Sequence, residues 1–237
     1  MNPPLPRSPR RRSAGFSMLE MVVALIVLGL VMASVVEFTY QGLNVYSYDS
    51  GRLLVNHDIR KFTGDMVTDA VYSNYFRIYP DFSTRSTTTS GSTTDAYVRD
   101  GQTGDFLVLV YADTSASTGL TTISRLVGYY RDATTTTSGP VRKFDVAVSP
   151  AAEIGSTTNS GASPPIYTMY DLLNAYVPTT TVHTNSIVLQ LASGLASGNL
   201  FYDFYDRSVM VRGQITESGS LVRNAVNTYN FTVSPRG

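Results

Sequence analysis

Three successive patterns of apolar and polar positions run along the chain. The first, Phe16 to Val36, is apolar with one ionisable exception; its 21 residues span roughly 31 Å as a helix at about 1.5 Å per residue, which matches a hydrocarbon core of roughly 30 Å. The second keeps a helical period but only one apolar face. Val55, Ile59, Phe62, Met66 and Ala70 recur every three or four residues as a stripe, among the polar residues Asp58, Lys61, Asp65 and Asp69. No proline lies between Pro9 and Pro80, so both patterns can share one helix, with an amphipathic continuation over residues 37–79. Gly29, Gly42, Gly51 and Gly64 each cost about 1 kcal/mol against Ala inside a helix, and bends are expected there.

After Tyr79 the period falls to two. Phe106 to Tyr111 is a wholly apolar strand; Phe144, Val146 and Val148 alternate with polar or small neighbours, as do Ile187, Leu189 and Leu191, then Leu200, Tyr202 and Phe204, then Val209 and Val211, then Tyr229, Phe231 and Val233. Met169, Leu172, Leu173 and Tyr176 stand at helical spacing between Pro164-Pro165 and Pro178 and predict one short helix. A long helix followed by hairpin-spaced strands is α+β: an N-terminal helix, membrane-spanning in its first half, packed on an antiparallel β-sheet head domain over residues 80–237. Segments rich in Ser, Thr and Gly (83–94, 114–122, 134–140 and 156–165) have little to bury and read as solvated connections.

Charge divides the chain in two. Arg7, Arg10, Arg11 and Arg12 precede the apolar segment, and Glu37 and Asp49 follow it before Arg52, so the positive-inside rule places the N-terminus in the cytoplasm and the rest across the membrane. Without the four leading arginines, 14 basic residues face 18 acidic ones. A mildly acidic ectodomain argues against DNA binding through a global basic field.

Candidate chemistry is sparse. There is no cysteine, and His57 and His183 lie far apart without metal-ligand neighbours, as solvated or core histidines do. No GxSxG elbow, phosphate-cradling glycine loop or HExxH helix occurs, and no metal or cofactor is implied. Asp100-Gly101-Gln102-Thr103-Gly104-Asp105 has a faint calcium-loop composition but lacks the terminal Glu, and reads as a tight turn. The pattern is not that of an enzyme. Sixteen tyrosines fit half-buried sheet faces as readily as a carbohydrate surface.

The one ionisable residue of the apolar segment is Glu20. A carboxylate in hydrocarbon costs on the order of 2.5 to 3.5 kcal/mol, which invites a cationic partner, although a side chain one turn from the basic end can also reach the headgroups. The run Gly15-Phe16-Ser17-Met18-Leu19-Glu20, with arginines before it and an apolar helix after it, resembles the class III signal of type IV prepilins and type II secretion pseudopilins. A secretory signal peptide cut before Ser34 is the rival.

The resemblance implies that prepilin peptidase cuts between Gly15 and Phe16 in the cytoplasm, that Phe16 is N-methylated, and that Glu20 meets the N-terminal amine of an adjacent subunit during assembly. The partners it implies are the peptidase, other pilin or pseudopilin subunits and the bacterial inner membrane, with the head domain in the periplasm. Major pilins of this family usually carry a proline where this chain has Glu37, which favours a minor pilin or pseudopilin. The stretch His57 to Ala70 and the strand Tyr129-Tyr130-Arg131 resemble J-type pseudopilins and W-type minor pilins. A reading from another class is a single-span adhesin or receptor with a β-rich ligand-binding ectodomain.

Overall fold

The computed structural model describes residues 15–115, 119–132, 140–189, 199–217 and 225–235. Leu191 and the side chains of Val55 and Tyr229 lie outside the described residues, as does most of the segment 134–140. The chain divides into two compact units, Met1–Tyr46 and Ser47–Gly237.

Helix α1 (Met18–Tyr72) runs without interruption through Gly29, Gly42, Gly51 and Gly64. Its apolar part contains an 18-residue window of mean hydropathy 2.6, long and apolar enough to cross a membrane, with none of that window buried by the protein itself. Its hydroxyls are satisfied within the helix. Ser34 Oγ donates to Leu30 O at 2.9 Å and Thr39 Oγ1 to Val35 O at 2.8 Å, the back-bonding that lets hydroxyl side chains sit among apolar ones.

The second unit contains the strands β1 (Tyr75–Tyr79), β2 (Ser86–Thr89), β3 (Ser92–Asp95), β4 (Thr103–Gly104), β5 (Phe106–Thr114), β6 (Thr121–Arg131), β7 (Val141–Ile154), β8 (Ile166–Tyr167), β9 (Ser186–Leu189), β10 (Phe201–Phe204), β11 (Ser208–Glu217) and β12 (Ala225–Val233), with α2 (Met169–Tyr176) between β8 and β9. The larger sheet has the order β1-β5-β6-β7-β8, with β9 also paired to β7; a second sheet runs β12-β11-β10-β4, and β2 and β3 form a separate hairpin. All pairings are antiparallel except the short β7–β8 contact, which is parallel. The fold is α+β, as the order of patterns predicts.

The larger sheet separates two cores. On one face Phe62, Met66 and Ala70 of α1 pack with Phe76, Ile78, Leu107, Leu109 and Tyr129 and with Phe201, Val209, Val211 and Val233 of the smaller sheet. The helical stripe is therefore what the sheets cover, and alternation along β1, β5 and β6 supplies the matching apolar positions. On the other face Met169, Leu172, Leu173 and Val177 of the α2 region cover Tyr79, Phe106, Val108, Val110, Tyr130 and Phe144. Thr168 caps α2, its Oγ1 accepting from Asp171 N at 3.3 Å.

Four expectations are corrected. The helix ends at Tyr72 rather than Tyr79: Ser73 N and Oγ both donate to Ala70 O, and Asn74 N donates to Val110 O at 2.8 Å, after which Tyr75–Tyr79, aromatic and alternating, pairs with β5. In β10 the buried residues are Phe201 and Asp203, whereas Tyr202 and Phe204 are 38% and 50% exposed. Leu200 is buried because it precedes the strand, its N–H bound by Asp105 Oδ1 at 2.8 Å, and a one-residue slip moves every side chain to the other face. In β9 Leu189 is buried but Ile187 exposed, where the register with β7 shifts between Val141 and Arg142. The segment 83–94 is no open loop, because Ser86–Thr89 and Ser92–Asp95 form a hairpin. Its two turn residues, Ser90 and Gly91, have φ of 53° and 80°, the conformation a two-residue turn demands, and its β-branched threonines suit a pleated surface.

Candidate processing and assembly site

The helix start is built by a reciprocal pair of hydrogen bonds. Ser17, the residue before α1, accepts through Oγ from Glu20 N at 3.2 Å, while Glu20 Oε2 accepts from Ser17 N at 2.9 Å. The first main-chain bond of the helix, Met21 N to Ser17 O at 3.2 Å, follows. This is a capping box, Ser at the N-cap and Glu three residues on, which satisfies two of the amide groups a helix start leaves without partners. The Ser-x-x-Glu spacing was legible in the sequence, but the family motif there draws attention to Glu20 alone.

The capping box changes the electrostatics of Glu20. Its carboxylate is not an unpaired charge on an apolar rod: one oxygen is bound, and an acid in the first turn lies at the favourable end of the helix dipole. No cation pairs with it and no hydrogen bond reaches Oε1 among the described residues. The carboxylate is thus oriented by its own chain, with Oε1 left open to another partner. Gly15 and Phe16 precede the helix as irregular chain, both exposed, so the bond between them lies outside the helix and is accessible. Arg7, Arg10, Arg11 and Arg12 lie outside the described residues.

Elsewhere, the buried polar groups make structural ties. Asp69 of α1 is 9% exposed; its Oδ2 accepts from the Tyr129 hydroxyl and pairs with Lys143 Nζ at 2.5 Å, and its main-chain O accepts from Tyr111 OH at 2.8 Å. Burial, with the Asp69 carboxylate, pushes the Tyr129 phenol well up and holds Tyr111 up to about 12. Asp105 joins the two sheets, pairing with Arg131 and accepting from Leu200 N. Asp132 pairs with Arg142 at 2.5 Å, with His183 Nδ1 lying 2.8 Å from its other carboxylate oxygen, and His57 is exposed on α1. The run Asp100–Asp105 forms the turn, with Gly101 at φ 78° and Gln102 N donating to Arg99 O at 2.9 Å. Among the described residues no three metal-ligating side chains gather.

Comparison with known proteins adds one finding. Residues 10–36 match the prokaryotic N-terminal methylation motif, the class III signal of type IV prepilins and pseudopilins. The motif supports a pilin- or pseudopilin-like substrate of prepilin peptidase; with the apolar N-terminal helix it fits a membrane anchor, implies assembly with other pilins, and points to a structural subunit. No curated protein and no solved structure matches the chain.

Proposed function

We propose that this chain is a minor pilin or pseudopilin, a structural subunit of a type IV pilus or a type II secretion pseudopilus. Prepilin peptidase cuts between Gly15 and Phe16; the leader with Arg7, Arg10, Arg11 and Arg12 stays in the cytoplasm, and the Phe16 amine is methylated. Residues 16–36 hold the chain in the inner membrane, the amphipathic part of α1 continues beyond residue 37, and the β-rich domain lies in the periplasm. Assembly packs the apolar helices together, with Glu20 of one subunit meeting the N-terminal amine of its neighbour. In a medium that punishes unpaired charge, that pairing selects the axial position of the incoming helix.

The observation that carries this reading is the methylation motif over residues 10–36, reinforced by a carboxylate held at the helix start with one oxygen unbound. Glu37 in place of a helix-kinking proline and a sheet-rich head favour a minor subunit of the J-type or W-type. Mass spectrometry of the membrane-extracted chain tests the processing step: an N-methylated Phe16 is expected as the first residue. A mature chain beginning at Ser34 would overturn it.

A further inference from the structure

The outer strand of a sheet carries a row of N–H and C=O groups with no ladder partner, and folded proteins guard such edges with a charge, a proline, a bulge or a very short strand. Among the described residues β12 pairs only with β11, in one unbroken register of nine residues, and so forms an edge of the smaller sheet. It has none of those guards: Ala225–Val233 contains no charged residue and no proline, and its register shows no bulge. The direction of its free groups follows from the ladder. Arg212 N donates to Leu200 O at 3.0 Å, so Arg212 uses its main-chain groups on the β10 side. Residues opposite each other in an antiparallel pair exchange both bonds or neither, so Asn230, opposite Arg212, turns its N–H and C=O away from β11. Alternation adds Val226, Thr228 and Thr232 to the same outward row, and the Asn230 and Thr232 side chains are exposed.

The head carries a second edge of a different kind. Among the described residues β2 and β3 pair only with each other, and neither strand holds an apolar residue. A two-stranded sheet without an apolar face is marginal in water and gains from a third strand. Its two-residue turn and the bond from Ala96 N to Arg85 O at 3.0 Å set the ladder bonds at Arg85, Thr87 and Thr89, so Ser86 and Thr88 turn their main-chain groups outward from β2. On its other side the hairpin borders a cleft that Thr93 and Thr94 of β3 share with Tyr75, Ile154 and Met169. β2 is therefore the outer strand, with Thr87, Thr88 and Thr89 exposed.

We propose that β2 of one head adds to β12 of a second copy of this chain, joining the hairpin of one subunit to the smaller sheet of the next. Neither strand carries a charge, so no like charges meet, and threonine opposite threonine or serine is a favourable cross-strand pair. The outward groups of Ser86 and Thr88 match two of the four outward positions on β12. Because the two edges differ, each head in a joined pair keeps one edge of each kind free between them, and the contact extends as an open chain instead of closing a dimer. This pairing rests on the reading of the chain as an assembling subunit. A few main-chain bonds hold weakly in dilute solution and effectively between heads whose apolar helices already lie side by side.

The chain has no cysteine, so introduced thiols report on single contacts. The full chain in phosphatidylcholine vesicles is treated with a short bismaleimide. Thr88→Cys combined with Asn230→Cys in one chain should give a ladder of linked oligomers, a mixture of the two single variants should stop at the dimer, and neither single variant alone should link. Thr228→Pro removes one outward N–H and leaves the bonds to β11 intact, so it should cut the ladder about tenfold, as the loss of a hydrogen bond and its neighbours implies, at unchanged melting temperature. Thr232→Pro carries the test if Thr228→Pro does not fold. Leu28→Cys, oxidised with copper phenanthroline, reports separately on association through the apolar helix. Linking at Leu28 without a ladder from the edge pair overturns the edge contact and leaves assembly standing, whereas a ladder without linking at Leu28 supports the edge contact and counts against assembly through the helix. Absence of both overturns both. Linking by Asn230→Cys alone, which would mean that β12 pairs with itself, or a ladder unchanged by either proline, would also overturn the proposal.

Discussion

Glu20 serves two purposes, and substitutions can separate them. In Glu20→Gln the amide oxygen can still accept from Ser17 N, so the capping box survives, but the charge needed to attract a neighbouring amine is gone. Glu20→Leu removes both. If charge pairing governs assembly, both variants insert into the membrane normally and both are recovered in sheared filaments at about a tenth of the wild-type level or less, as the loss of a charge-assisted hydrogen bond of roughly 1.5 to 3 kcal/mol implies. Wild-type recovery of Glu20→Gln would mean that the helix cap alone matters. In the head domain, Asp203 is the residue with the clearest pH dependence. Burial, followed by the hydrogen bond and charge of Asp206, lifts its carboxyl to about 6. A folded-state value raised above the unfolded one means stability that is full below about pH 4 and is lost as pH rises through about 6. The head should therefore melt at higher temperature at pH 4.5 than at pH 7. Asp203→Asn, which cannot ionise, should flatten that dependence in thermal melts across this range, and an unchanged slope would count against the assignment.

At the scale of elements, close approach explains positions that composition leaves silent. A Cβ at Gly104 of β4 would lie 2.1 Å from the carbonyl oxygen of Tyr79 and 2.8 Å from Ile78 Cγ2; the first neighbour is main chain and cannot swing aside. Gly104→Ala should destabilise the head by about 1 to 3 kcal/mol or more, as overpacking does, read as a lower denaturant midpoint. Gly128→Ala, whose added Cβ has atoms of the Phe144 ring as its nearest neighbours, should cost less because a side chain can shift. These glycines carry no local sequence signature, since both clashes arise from strands brought together by the fold. What the sequence does show are the elements with strong periods. The stripe Ile59, Phe62, Met66 and Ala70, the strand at Phe106 and the short helix at Met169 follow from spacing alone. The end of α1 is harder to read because Tyr75–Tyr79 has no breaker before it; only tertiary pairing with β5 decides that it is a strand. In β10 the alternation Leu200, Tyr202, Phe204 misleads because a buried aspartate, Asp203, occupies an inward position that a hydrophobicity pattern scores as outward. At the N-terminus the motif around Gly15 was fully legible, whereas the tie of Asp69 to Tyr129 and Lys143 was not, since its partners come from segments 60 or more residues away.

At the scale of the whole molecule, the two units differ in what their apolar side chains meet. The apolar segment of α1 is exposed, with Leu25, Leu30 and Val36 all more than half exposed, a surface suited to lipid or to other apolar helices. The unit from Ser47 onward has its own two cores and pins the end of α1 with Asp69, whose carboxylate holds Tyr129 and Lys143. Removing that carboxylate leaves a buried hydroxyl and a partly buried ammonium without their partner, at a cost of about 2 to 3 kcal/mol. Asp69→Ala should accordingly lower the melting temperature of the head without changing how the chain is extracted from membranes. The same separation predicts two distinct losses on heating the full chain in micelles. With no tryptophan, the near-UV signal comes from tyrosine and phenylalanine, and the tyrosines buried beyond residue 74 make it a report on the head's packing. That signal should disappear in one cooperative step, shifted down by Asp69→Ala, while part of the far-UV helical signal persists beyond it because a helix in an apolar medium keeps its internal hydrogen bonds. Coincident loss of both signals, with Asp69→Ala moving them together, would show instead that the apolar segment depends on the head for its helical structure.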